Sequence, residues 1–113
     1  MSTQELPEWV MVAALEVDAA VEADWDTWYD EVHLPEIVAA PGFVGGTRYR
    51  AAAHPSDGAG LRRQLTIYEA SGPEALETPE FAAARGLGGF GDRVMVRTRI
   101  FRKHLTLRSD DVR

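Results

Sequence analysis

The stretch Trp25–Arg50, WDTWYDEVHLPEIVAAPGFVGGTRYR, leaves the chain few ways to fold. It reads as an aromatic-rich amphipathic helix, a sharp stop, and a strand that begins at once. At about 100° per residue, Trp25, Trp28, Tyr29, Val32 and Glu36 fall on one helix face, while Asp24, Asp26, Asp30 and Glu31 lie away from it. His33 flanks the apolar face. Pro35 removes a backbone donor and crowds the carbonyl of Glu31, so a kink or a restarted turn is expected just after His33. Pro41-Gly42 ends the helix, because glycine supplies the positive φ that a chain reversal needs. In the strand that follows, Phe43 to Ala53, one face carries Phe43, Gly45, Thr47, Tyr49 and Ala51, and the other Val44, Gly46, Arg48 and Arg50. The pair Gly45-Gly46 marks a bulge or a close approach by another group.

The rest of the chain supplies the elements around this stretch. Trp9 to Val17, WVMVAALEV, is a continuous apolar run of strand length, suited to a strand covered on both faces. Asp18 to Glu22 reads as a loop, and Asp24 as the N-cap of a helix that runs to about Ala39. His54 to Gly60 is a turn-rich connection. Leu61 to Ala70 alternates, with Leu61, Arg63, Leu65, Ile67 and Glu69 on one face and Arg62, Gln64, Thr66 and Tyr68 on the other. Ser71-Gly72-Pro73 opens a helical turn, and Thr78-Pro79-Glu80 restarts it as a short helix ending near Gly86. Leu87 to Asp92, LGGFGD, is a flexible loop whose glycines do not match a dinucleotide fingerprint. The last strand covers Val94 to about Leu105, and the tail Ser109–Arg113 is expected to be disordered.

Two β-α-β units in this order define a ferredoxin-like α+β fold, a four-stranded antiparallel sheet with both helices on one face. The other face needs cover. The apolar first strand and long last strand predict that two sheets pack face to face in a homodimer, giving a dimeric α+β barrel. A single domain over residues 1–113, with an ordered core at about 9–105, is the expectation for this length.

A net charge of -6 argues against non-specific nucleic-acid binding. The chain has no cysteine, its first residues lack a basic leader region, and no apolar run approaches the roughly 18 residues that span a membrane. A soluble cytoplasmic protein without membrane contact is therefore expected. No Lys or Arg precedes Arg48, whereas ten of the 18 acids lie in the first forty residues. An acidic helix set against a basic sheet edge explains this, and so does pairing between subunits. The alternative is an arginine-lined pocket for an anionic or enolate-like ligand.

The run WYDEVHLPEIVAAPGFVGGTRYR, followed by the strand LTIYE, the short TPEF helix and a final basic strand, resembles the EthD-like branch of the dimeric α+β barrel superfamily. The resemblance covers Trp9 to His104. That superfamily includes cofactor-free monooxygenases, polyketide cyclases, lactone isomerases, dehydratases or decarboxylases of aromatic polyketides, and haem proteins, so it does not fix a reaction. It implies that His33 faces a pocket between the first helix and the sheet. Trp25, Trp28 and Tyr29 would be its neighbours, with Tyr49 and Tyr68 contributed by the sheet. A two-histidine mechanism would require His104 to fold back.

His33 is the acid/base candidate, since an imidazole titrating near 6.5 can take and return a proton at working pH. The plain alternative is a hydrogen-bonded structural histidine. Glu36 lies three residues on and either orients the imidazole or pairs with Arg48 or Arg50. The aromatic residues serve as core or as the platform of a planar phenolic ligand. Arg48 and Arg50 share a face, where they hold a substrate oxyanion or meet acids of a partner subunit. His54 and His104 read as solvent-exposed. Neither the histidines nor the carboxylates show ligand spacing, and no haem motif accompanies His33, so no metal or cofactor is expected. The leading reading is a small cofactor-free lyase, isomerase or cyclase acting on an aromatic, polyketide-like or lactone metabolite. In it His33 is the general acid/base, and Tyr49, Tyr68 or Arg48 holds the oxygen that gains charge. The alternatives are a cofactor-free monooxygenase and a non-catalytic dimer that binds a hydrophobic small molecule or supports a partner enzyme.

Overall fold

The computed structural model describes residues 5–112. Its four strands, β1 (Trp9–Asp18), β2 (Phe43–Arg50), β3 (Leu61–Ala70) and β4 (Val94–Arg102), form one sheet in the order β2-β3-β1-β4. Every neighbouring pair is antiparallel. Between β1 and β2 come α1 (Glu22–Trp28), a π-helical turn at Tyr29–His33 and α2 (Leu34–Ala39); between β3 and β4 comes α3 (Pro79–Ala84). This is the ferredoxin-like α+β arrangement, with the helices on one side of the sheet. β1 is central because its alternation buries Met11, Ala13, Leu15 and Val17. Tyr68 from β3, Ile37 from α2 and Phe81 from α3 pack on the same layer.

The π turn explains which helix face is buried. Trp25, Tyr29, His33 and Ile37 recur every four residues, and all are buried. An unbroken α-helix would rotate Ile37 about 120° away from Trp25 over those three steps. The wide turn absorbs that drift, with the Leu34 N–H bonded to the Tyr29 carbonyl in place of an α-helical bond. It therefore does the work expected of a kink at Pro35. Val32 and Glu36, expected on the buried face, are exposed as a result, and His33 moves from the flank into the interior.

Other boundaries also differ from expectation. Asp24 does not cap α1, which starts at Glu22; Asp18 instead accepts the Ala20 N–H at 2.9 Å and caps the 3-10 turn Ala19–Val21. Thr78 does cap α3, accepting the Phe81 N–H at 3.1 Å. A bulge between Phe43 and Gly45 brings Phe43 to the helix side, on the face of Gly46 and Arg48. β2 ends at Arg50 and β4 at Arg102, where the ladder with β1 closes at the pair Trp9–Arg102. In the tail, Ser109–Asp111 forms a 3-10 turn where disorder was expected, and Arg113 lies outside the described residues. Gly42 takes φ 90, and a side chain there would stand 2.8 Å from the Cβ of Ala75, so the helix stop is also a close contact.

The opposite sheet face has no helix over it. Its cross-strand rows read Gly45–Glu69–Val10–Phe101, Thr47–Ile67–Val12–Arg99 and Tyr49–Leu65–Ala14–Arg97. Tyr49, Phe101 and Met95 stand exposed on it.

Candidate active site

Between the sheet and the helices lies a small apolar cavity of about 40 Å³, lined by His33, Tyr29, Tyr68, Trp25, Phe81 and Arg85 among others. That is room for a few water molecules. β1 supplies its floor with Met11, Ala13 and Leu15, and the four-residue spacing through α1, the π turn and α2 places Trp25, Tyr29, His33 and Ile37 along its roof.

His33 is only 8% exposed. Its ring stacks on Trp28 with centroids 4.9 Å apart and meets the edge of Tyr29 at 4.8 Å. Its Nδ1 is buried and has no hydrogen-bond partner among the described residues. Burial holds the imidazole below its ordinary 6.5; the charge of Glu36 and the Ala84 backbone oppose this shift, and Arg48 adds to it. The ring is thus neutral at pH 7.

The Tyr29 and Tyr68 hydroxyls lie 2.7 Å apart, both buried. Burial raises the pKa of each above the ordinary tyrosine value, so both stay protonated. Such a pair holds two protons and uses one in the mutual bond. Tyr29 and Tyr68 can therefore donate to a ligand oxygen but cannot serve as a base.

Arg48 stands behind Tyr29, its guanidinium 4.3 Å from the ring centroid. It donates to Asp26 at 2.9 Å, to Asp30 at 2.7 Å and to the Gln64 Oε1. Gln64 also accepts from the Trp25 Nε1 at 3.2 Å and donates to Asp26 at 2.9 Å. Desolvation works against the Asp26 charge, but Arg50, Arg48 and Gln64 outweigh it and hold its pKa below 3.8. This network pins α1 to β2 and β3; the terminal guanidinium nitrogens of Arg48 are engaged in it, while its buried Nε has no hydrogen-bond partner among the described residues.

Trp25, Tyr29, Tyr68 and His33 therefore meet around one cavity, and Trp28 backs the His33 ring. Arg48 and Arg50 do not line it. Arg48 is held by carboxylates, and Arg50 is exposed and bonded to Asp26 at 2.8 Å. The expected pairing of these arginines with Glu36 is replaced by Asp26 and Asp30, because the π turn swings Glu36 outward. Tyr49 is a clear correction. It points to the open face, paired with Leu65, and the sheet separates it from His33. His104 does not fold back toward His33 but lies beside Tyr49 and Phe101 on that same face. Among the described residues, no group of His, Asp or Glu converges to hold a metal ion, and no helix is long and apolar enough to cross a membrane.

The sequence reading missed Gln64, Phe81, Arg85 and Leu87. Gln64 had a signal, since it alternates with Thr66 and Tyr68 on the face opposite Leu65. Leu87 and Phe90 belong to the glycine-rich segment after α3, where Gly88, Gly89 and Gly91 all take positive φ. Phe90 sets its edge on Trp25 at 5.1 Å, and a side chain at Gly88 would stand 2.4 Å from the Trp28 ring. Only glycine lets this segment lie on the indole.

The chain has the ferredoxin-like α+β fold that the resemblance seen in Trp25–Arg50 implies, with a cavity between the sheet and its helices. No family model matches the chain, and no curated protein matches it in sequence. Among solved structures it is similar to an EthD family protein from Bacillus halodurans, at 18% identity and TM-score 0.63, over 85% of this chain and 99% of that one. It is similar also to a variant of SnoaB, a cofactor-independent oxygenase from Streptomyces nogalater, at 15% identity and TM-score 0.63, over 88% and 97%. A third is the heme-degrader MhuD from Mycobacterium tuberculosis, solved with two hemes in its active site, at 19% identity and TM-score 0.60, over 88% and 98%. At these identities the likeness is one of fold. The neighbours include enzymes that act on small molecules.

Proposed function

We propose that this protein is a cofactor-free enzyme in which His33 moves a proton on an aromatic, polyketide-like or lactone substrate. The observation that carries this reading is that His33 lines an apolar cavity while its buried Nδ1 has no hydrogen-bond partner among the described residues. Leaving a buried polar atom unpaired costs about 1–3 kcal/mol, so such atoms call for an explanation. A base kept bare for a substrate proton is one. The neutral ring takes a proton from the carbon beside a carbonyl, or from a phenolic hydroxyl. The charge then appears on oxygen, where a Tyr29 or Tyr68 O–H holds it in a site closed to water. Return of the proton to another carbon completes an isomerisation, loss of a leaving group completes an elimination, and attack of the enolate on a second carbonyl closes a ring.

Ligand pockets run to about 300–1,000 Å³, well above the present cavity. A substrate would enter by displacing the glycine-rich segment 86–91, which touches the site through Leu87 and Phe90. The fold shared with SnoaB favours a second reading in which the same deprotonation primes the substrate for dioxygen. Substituting His33 with asparagine tests the role of the histidine in both. Turnover should fall while fold and ligand binding persist; unchanged turnover would remove His33 from the chemistry, and binding without any turnover in the parent protein would leave a non-catalytic binding protein.

We propose further that a second copy of this chain covers the open sheet face. That face combines exposed apolar side chains, Tyr49, Met95 and Phe101, with both Glu16 and Glu69 and the cations Arg63, Arg97 and Arg99, so it can pair with itself. Tyr49 then belongs to the seam. Sedimentation at micromolar concentration should give twice the 12.5 kDa chain mass. A particle of 12.5 kDa across that range would overturn the dimer.

A further inference from the structure

We infer that Arg85 anchors a carboxylate of the ligand at the rim of the His33 cavity, so that the substrate is an aromatic acid and not a neutral aromatic. This rests on the reading of that cavity as a ligand pocket. Of the residues that line it, Arg85 is the one permanently charged side chain, and no acidic residue lines it. The remaining wall is apolar apart from His33, Thr98 and the tyrosine pair. A cation at the edge of an apolar hollow suits a molecule with an apolar body and one anionic end.

Arg85 is also unengaged where comparable arginines are not. Arg48, Arg50, Arg62, Arg63, Arg93 and Arg102 each have a carboxylate within ion-pair distance. Among the described residues Arg85 has none, although it is exposed and the chain is acidic overall. Arg97 and Arg99 share that lack, but they lie on the open face, away from the cavity.

Its backbone is fixed. Arg85 closes α3, with its N–H bonded to the Phe81 carbonyl at 3.1 Å, and Phe81 is itself a wall of the cavity. The glycine-rich segment begins at the next residue. The guanidinium thus stands on a firm base beside the part of the wall that must move to admit a ligand. It can hold a planar carboxylate by two parallel N–H bonds at the rim, with the ring directed inward toward His33 and the tyrosines.

Quenching of tryptophan fluorescence by 2-naphthoate and by its methyl ester, with Trp25 and Trp28 as reporters, tests this. The unaltered protein should bind the acid about tenfold more tightly than the ester, the size of one charge-assisted hydrogen bond at a partly desolvated site. Arg85→Gln should abolish that preference and leave ester binding unchanged. Arg85→Lys should restore part of it, since lysine keeps the charge without the fork. The proposal is overturned if the ester binds as well as the acid, or if Arg85→Gln keeps the preference, as it would if Arg85 only complements the end of α3. Equal binding of both compounds refutes the role of Arg85 alone. Binding of neither refutes the ligand-pocket reading with it.

Discussion

Replacing Trp25 with alanine is expected to remove about 3–5 kcal/mol of stability, the cost of deleting a buried aromatic side chain. Trp25 is 0% exposed, and its ring contacts Trp28, Tyr29 and Phe90 at once. It joins α1, the π turn and the glycine-rich segment in one cluster, so the void has walls on three elements that cannot all collapse into it. The lost indole N–H also takes a donor from Gln64 at the centre of the Arg48 network. A domain of this size holds only about 5–15 kcal/mol in total, so the variant should sit near the edge of unfolding. Urea denaturation measures this directly. The midpoint should fall steeply with little change in slope, and a loss under about 1 kcal/mol would mean that the cluster is not part of the core.

The His33→Asn variant should lose at least about a hundredfold in turnover, within the range that a positioned general acid or base contributes. Binding should change little, because the aromatic walls remain. Stability should hold as well. Nδ1 has no partner to strand, asparagine occupies much of the space of the imidazole near the backbone, and its amide keeps a donor for the Ala84 backbone that acts on the ring. The comparison therefore separates three roles for one residue. Lost turnover with intact binding marks a catalytic base, lost binding with intact fold marks a ligand contact, and lost fold marks a structural histidine.

Much of the fold was legible because its signals are local. The apolar run of β1, the alternation of β3 and the Pro41-Gly42 stop each depend on a few neighbouring residues. The site was only partly legible. Trp25, Tyr29 and His33 could be grouped on one stretch, but the facing of Val32, His33 and Glu36 turns on the π turn, a single widened turn that a 100° wheel does not contain. The placement of Tyr68 followed from strand alternation, and so did that of Gln64, although its hydrogen bonds did not. Tyr49 was misplaced because the two faces of β2 look alike from sequence. Arg48 and Tyr49 are adjacent and point opposite ways, and only the bonds of Arg48 to Asp26 and Asp30 show which side bears the helix. Arg85 carried no local signal, since its relevance arises from α3 ending beside the cavity.

The central claim is that His33 is a buried neutral base in a cavity that a ligand can reach. Titration of its imidazole by NMR, with and without 2-naphthoate, is the most direct test. Because burial lowers the folded pKa, protonation should be complete only well below 6.5. The unfolded chain binds that proton first, so stability owed to the neutral ring is present above pH 6.5 and is lost as pH falls through the folded pKa. The account predicts a midpoint displaced below 6.5 that moves again when the ligand binds. An imidazole that titrates at 6.5 and ignores the ligand would contradict it.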